Sequence, residues 1–147
     1  MKKFVFAALV IGLTPVVVLA QRGPWVGSGG WGNDGHWGRI YNPSNVVTID
    51  GTVSAIENFA PPRGMSQGVH LVLATKDGKL TVLLGPSWYV DHQDATLAVG
   101  DTVQVVGARA TLDGKDVIVA KSVTKGDQIL QLRDSNGVPL WAGCRRR

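Results

Sequence analysis

Three histidines and a single cysteine are the residues of this chain best suited to holding a metal ion or attacking a substrate. Their spacing serves neither purpose. His36, His70 and His92 are scattered, and no H-x-x-x-H pair brings two imidazoles onto one helical face. With Met65 the histidines would suit copper, and with Asp91 they would suit zinc, but residue types without geometry do not make a site. His70 and His92 therefore read as surface or hydrogen-bonded structural residues. Cys144 stands alone, which excludes an intramolecular disulfide, a zinc finger and a CxxC redox centre together. Its arginine neighbours favour the thiolate, so in an oxidising compartment it would pair with a second chain or a small thiol, or remain an incidental free cysteine. For an enzyme, a G-x-S-x-G elbow and a P-loop are both missing, and Glu57 is the only glutamate. Asp91 and Asp94 form an i,i+3 pair that reads as a solvated face and not as a glycosidase dyad. The expectation is a non-enzymatic protein with no cofactor and no metal.

Binding is the remaining class. Arg133, Arg145, Arg146 and Arg147, with Trp141 nearby, form an electrostatic tail suited to phosphates or to an acidic protein, the alternative being a solubilising end. His70, on a predicted strand, and Lys76 and Lys79, at a predicted turn, complete the set of candidate ligand-binding residues. The sequence pI of about 9.5 does not describe a basic face. Between residues 46 and 125 there are seven basic and eight acidic residues, so the excess positive charge lies towards the termini. A face carrying His70, Val72, Thr81 and Leu83 is also poor in the exposed aromatics on which single-stranded nucleic acid stacks.

These residues are positioned by a chain of 147 residues, one domain's length, 44% hydrophobic and 18% charged. Residues 1–20 have the anatomy of a signal peptide: Lys2 and Lys3, an apolar run from Phe4 to Leu13, and Val18-Leu19-Ala20 before the expected cut. Cleavage there would leave a chain starting at Gln21, periplasmic or secreted and with no stable membrane insertion. Residues 21–45 read as a flexible arm, rich in glycine and without apolar period. Its Trp25, Trp31, Trp37 and Tyr41 are expected either to dock loosely on the domain or to contact a partner.

From Val46 the apolar period becomes 2. A long first strand runs over Val47 to Ala55, with a bend or bulge expected at Gly51. Val69 to Leu73 and Leu80 to Leu84 flank a hairpin turn at Lys76-Asp77-Gly78-Lys79. Ser87 is expected to cap a short helix over Trp88 to Gln93, with Trp88 as the buried plug against Val53, Leu73 and Val105. Gly100-Asp101 launches a fourth strand through Val103 and Val105. Leu112-Asp113-Gly114-Lys115 turns into a fifth, Val117 to Val123. Leu130 to Arg133 and Val138 to Trp141, joined by Asn136-Gly137, predict an added hairpin whose Pro139 confines it to an edge.

Three strands, a short helix and two strands is the order of an OB-fold. The fold class is therefore all-β: a five-stranded Greek-key OB-fold barrel over residues 46–126, with a short helix between strands three and four. The C-terminal hairpin and Arg tail fill 127–147. Over Val46 to Arg147 the chain resembles the small secreted bacterial OB-fold proteins. The resemblance is carried by Ser54 to Phe59, Gly68-Val69-His70-Leu71, Leu84-Gly85-Pro86-Ser87-Trp88-Tyr89, Gly100-Asp101-Thr102-Val103-Gln104-Val105, Leu132-Arg133-Asp134 and Pro139-Leu140-Trp141. Proteins of that kind are commonly labelled DNA-binding, so the resemblance implies an exported binding module for a polyanion, single-stranded nucleic acid included, or for a protein partner. The alternatives are a metal- or redox-linked periplasmic accessory protein using His70, His92, Met65 or Cys144, and a structural envelope component.

Overall fold

Alternation of β-branched and polar residues from Val46 onward produces a strand too long for one partner. This strand, β1 (Val46–Phe59), bends and serves two partners. Its first half pairs antiparallel with β4 (Thr102–Leu112), and its second half with β2 (Gly68–Thr75). The irregularity sits between Val53 and Ala55 and not at Gly51. Gly51 meets a different demand: a Cβ there would lie 2.6 Å from the Ala74 carbonyl oxygen and 2.7 Å from Leu73 Cγ. The structure is a computed structural model, and it describes residue 31 and residues 39–61 and 65–142. The expected signal peptide, most of the arm with its His36, Trp25 and Trp37, Cys144, and Arg145, Arg146 and Arg147 lie outside the described residues.

A two-residue turn at Lys76-Asp77 joins β2 to β3 (Gly78–Pro86), and a second at Asp113-Gly114 joins β4 to β5 (Lys115–Lys125). Asp113 and Gly114 both have positive φ, 49° and 76°, the geometry that matches the twist of the flanking strands. β3 then pairs parallel with β5 through Thr81–Leu83 against Val117–Val119, which closes the sheet into a barrel in the strand order β1-β2-β3-β5-β4. With a short helix between β3 and β4, this is the OB-fold. Val53, Leu71, Leu73, Val82, Val105, Ile118 and Val123 fill its interior, none more than 1% exposed.

The helix, α1 (Ser87–Val90), is one turn long and lacks the expected serine cap. The Ser87 amide donates to the Gln67 carbonyl at 2.9 Å, tying the helix to the β1–β2 loop. Beyond Val90, His92 Nδ1 and Gln93 Nε2 take the Trp88 and Tyr89 carbonyls at 2.7 and 3.0 Å, so side chains replace the amides that would extend the helix. Trp88 is half-buried, packed against the core edge, and is not the plug expected of it.

Asp101 locks the crossover that follows. Its carboxylate accepts from the Ala98 amide at 2.8 Å and from Lys125 Nζ at 3.0 Å. These bonds, the backbone one foremost, hold its carboxyl below the usual carboxylate value of 3.8. Because the folded state prefers the ionised form, the stabilisation is present above that value and is lost as pH falls through the lower folded value. Asp101→Asn is therefore expected to melt lower than wild type near neutrality and to show a shallower loss of Tm between about pH 5 and pH 2. Thermal melts across that range check it.

β6 (Gln128–Gln131) pairs with Ser122–Lys125 of β5, beyond the residues that β3 takes, and the chain turns back through Asp134–Gly137. Asp134 Oδ1 accepts from the amides of Asn136 and Val138, both at 2.9 Å, and Arg133 bridges to Pro139. The expected C-terminal hairpin is present, shorter than its sequence suggests.

Candidate functional site

The outer face of β2 and β3 carries His70, Val72, Thr81 and Leu83, set there by strict alternation with core residues Leu71 and Val82. Two segments fold over this face. Phe59, Ala60 and Pro61 lead out of β1 on one side, and Leu112, Asp113 and Lys115 form the β4–β5 turn on the other. Together with Val117 from β5 they enclose a groove of about 660 Å3. In OB-folds generally, this face and these two loops are where ligands sit.

Its floor is apolar, from Phe59, Pro61, Leu83, Leu112 and Val117. The Phe59 ring lies 5.3 Å from the His70 imidazole at a 35° tilt, and His70 Nε2 is 2.8 Å from Glu57 Oε2. Asp113 and Lys115 stand at the opposite lip. The groove thus combines an apolar floor with His70 on its face and one acidic and one basic residue at its lip.

Of the expected ligand-binding residues that lie among the described ones, only His70 reaches this groove. Lys76 and Lys79 line a separate hollow beside the β2–β3 turn, together with Arg109 and the carboxylates of Asp50, Asp77 and Asp116. Three cations there face three carboxylates, so the hollow has no positive surplus to draw a polyanion.

Arg133 and Trp141, expected on the surface as part of a basic tail, are inside: Arg133 is 2% exposed and Trp141 0%. The hairpin folds them onto the barrel base. The guanidinium carbon lies 5.0 Å from the Tyr41 ring centroid and 5.6 Å from that of Trp141, and Nη1 donates to the Gly137 carbonyl at 2.9 Å. Burial without a carboxylate in ion-pair range among the described residues pushes its pKa down to about 10, with the Tyr41 phenol opposing the shift. Arg133 is a packing residue here, its charge held by ring faces and a carbonyl.

Trp31 and Tyr41, expected to dock loosely from the arm, are buried at 2% and 8% exposure. Trp141 Nε1 donates to the Trp31 carbonyl at 2.7 Å, and Trp31 Nε1 donates to the Ser66 carbonyl at 2.9 Å. Tyr41 packs over Gly137, where a Cβ would run into its ring. The signal for the groove was present in the alternating face and in Phe59 ahead of Ala60-Pro61. The clustering of Trp31, Tyr41, Arg133 and Trp141 had no such signal.

Among the described residues, no group of three or more His, Cys, Asp and Glu side chains is placed to hold a metal ion, and no helix is long and apolar enough to cross a membrane. His70 and His92 lie on different elements, each with its own hydrogen-bond partner.

Residues 45–130 match the profile of the MamS/MamX magnetosome protein family. No curated protein matches the chain. Among solved structures it is similar to the second OB-fold domain of replication protein A from Methanococcus maripaludis, at 20% identity and a TM-score of 0.41, over 57% of this chain and 86% of that one.

Proposed function

We propose, from the premise that this chain belongs to the MamS/MamX magnetosome protein family, that it is an exported, non-enzymatic accessory module of the magnetosome. In this reading it binds an extended segment of a partner protein in the groove over β2 and β3. The observation that carries the reading is the groove's composition. An apolar floor beside Asp113, Lys115 and the hydrogen-bonded Glu57 and His70 suits a polypeptide with an apolar anchor side chain and mixed charge. A polyanion needs clustered uncompensated cations. The barrel's cations are matched by acids, and Arg133 is buried.

Selection of a phage-displayed random dodecapeptide library on the mature chain tests this reading. The enriched peptides are expected to carry an apolar residue among polar ones, and to lose at least about tenfold in affinity for Thr81→Arg, about 1.4 kcal/mol. That variant lays a long side chain across the groove from a half-buried strand position. Saturable binding of an oligo-dT strand that weakens steeply with salt and is blocked by Thr81→Arg would overturn the reading in favour of a polyanion. Peptides indifferent to Thr81→Arg would place the site elsewhere.

A further inference from the structure

The wall behind Phe59 is built by a residue that belongs to neither the barrel nor the family-matched stretch 45–130. The Trp31 ring meets Phe59 edge-on, with centroids 5.9 Å apart and planes at 70°. Its indole N–H donates to the Ser66 carbonyl, just ahead of β2. Gly68, opposite Phe59 in the β1–β2 register, leaves the space for this. A Cβ there would come within 2.5 Å of Trp31 and 2.7 Å of Phe59. Trp31 is in turn held by Trp141, from the far end of the chain and also outside 45–130.

We infer that Trp31 is a positioning residue of the groove, and that docking of Trp31 onto Trp141 and filling of the groove favour one another. This rests on the reading of the groove as the binding site. The physical chain is short: Trp141 fixes Trp31, Trp31 sets Phe59 and Ser66, and Phe59 backs the His70 imidazole on the groove face. Moving Trp31 releases the wall that Phe59 gives the groove. Coupling is reciprocal in equilibrium binding, so an occupant that needs the wall in place also tightens the Trp31–Trp141 contact.

The test uses the mature full chain in four variants: Trp31→Ala, Trp31→Phe, Gly68→Ala, and Leu130→Ala as a control. Leu130 is a buried residue lining a different cleft, under α1. Two quantities are read well below each variant's Tm: NMR shifts of the His70 imidazole protons and the Leu83 and Val117 methyls, and affinity for a dodecapeptide selected on the wild type. Trp31→Ala and Gly68→Ala are expected to move the groove resonances and weaken the peptide about tenfold, within the usual range of site–site coupling. Trp31→Phe, which keeps an aromatic edge but loses the indole donor, falls between them and wild type. Leu130→Ala lowers Tm and moves neither. Peptide addition to the wild type slows exchange of the Trp31 indole N–H.

If Trp31→Ala and Gly68→Ala lower Tm but shift groove resonances and affinity no more than Leu130→Ala does, Trp31 is only a stabilising residue and the inference is overturned. If Trp31→Ala does not fold, Gly68→Ala and Trp31→Phe decide between the same two results. A peptide indifferent to Thr81→Arg, with the groove resonances still moved by Trp31→Ala or Trp31→Phe, would fault the groove as binding site while upholding Trp31 as the residue that sets its wall.

Discussion

Trp141→Ala is expected to lower the unfolding free energy by about 3–5 kcal/mol, the range for truncating a buried aromatic. The ring is 0% exposed and faces Gly85, where a Cβ would lie 2.6 Å from it; Tyr89 packs on it at 5.2 Å. Truncation removes the buried hydrogen bond to the Trp31 carbonyl and takes from Arg133 a ring that faces its charge. Against a typical stability of about 5–15 kcal/mol, that loss is a large share. Trp88→Ala, at a half-buried site whose indole nitrogen has no partner among the described residues, is expected to lose clearly less. Urea denaturation of the two variants checks the ranking. A larger loss for Trp88→Ala would return the plug to the helix.

The second large effect is expected at Gly107. β4 and β5 slip register between Val106 and Gly107, and the two backbones come close there. An added Cβ would lie 2.5 Å from the Val119 carbonyl oxygen, 2.7 Å from Ile118 Cγ2 and 2.9 Å from Ala120 Cα. Two of those atoms are backbone in a strand fixed on both sides, since β5 also pairs with β3, so rotamer changes cannot make room. Gly107→Ala is expected to cost about 3 kcal/mol, the upper end for overpacking a core. The same denaturation measurement reads it, and wild-type stability for the variant would show that the barrel can open there at little cost.

How far the molecule was legible in its sequence depends on the range of the forces involved. Lys76-Asp77-Gly78 and Asp113-Gly114 are turns because two or three residues settle backbone φ locally, and both hairpins stand where the sequence puts them. The alternation of β1 was equally readable, but its bulge was not. Gly51 suggested a bend, whereas its lack of a side chain serves the approach of Leu73 and Ala74, which no local pattern reports. Half of the groove was visible, since period 2 puts His70 and Leu83 on one face. The other half required knowing that Phe59 and the Asp113–Lys115 turn fold over it. Trp31 lies in a glycine-rich stretch with no period, and its burial depends on a hydrogen bond across 110 residues. Arg133 looked like a surface charge because side-chain type favours exposure, and only the return of the hairpin encloses it.

The parallel pairing of β3 with β5 has a consequence for how the barrel assembles and breathes. Its ladder has only three residue pairs, Thr81–Leu83 with Val117–Val119, and it joins two hairpins that are otherwise local in the chain. Local hairpins form before the pairings that join them, and with fewer residue pairs than any other ladder of the barrel this seam is the first to part. Its amides then exchange through a partial opening, at lower free energy than those of Val103 and Val105. The groove lies astride this seam, with Thr81 and Leu83 on one bank and Val117 on the other. Whatever fills it holds only the closed barrel, and by mass action it raises the free energy of parting the seam as its concentration climbs past its Kd. Occupancy is thereby written into the rate at which the barrel opens.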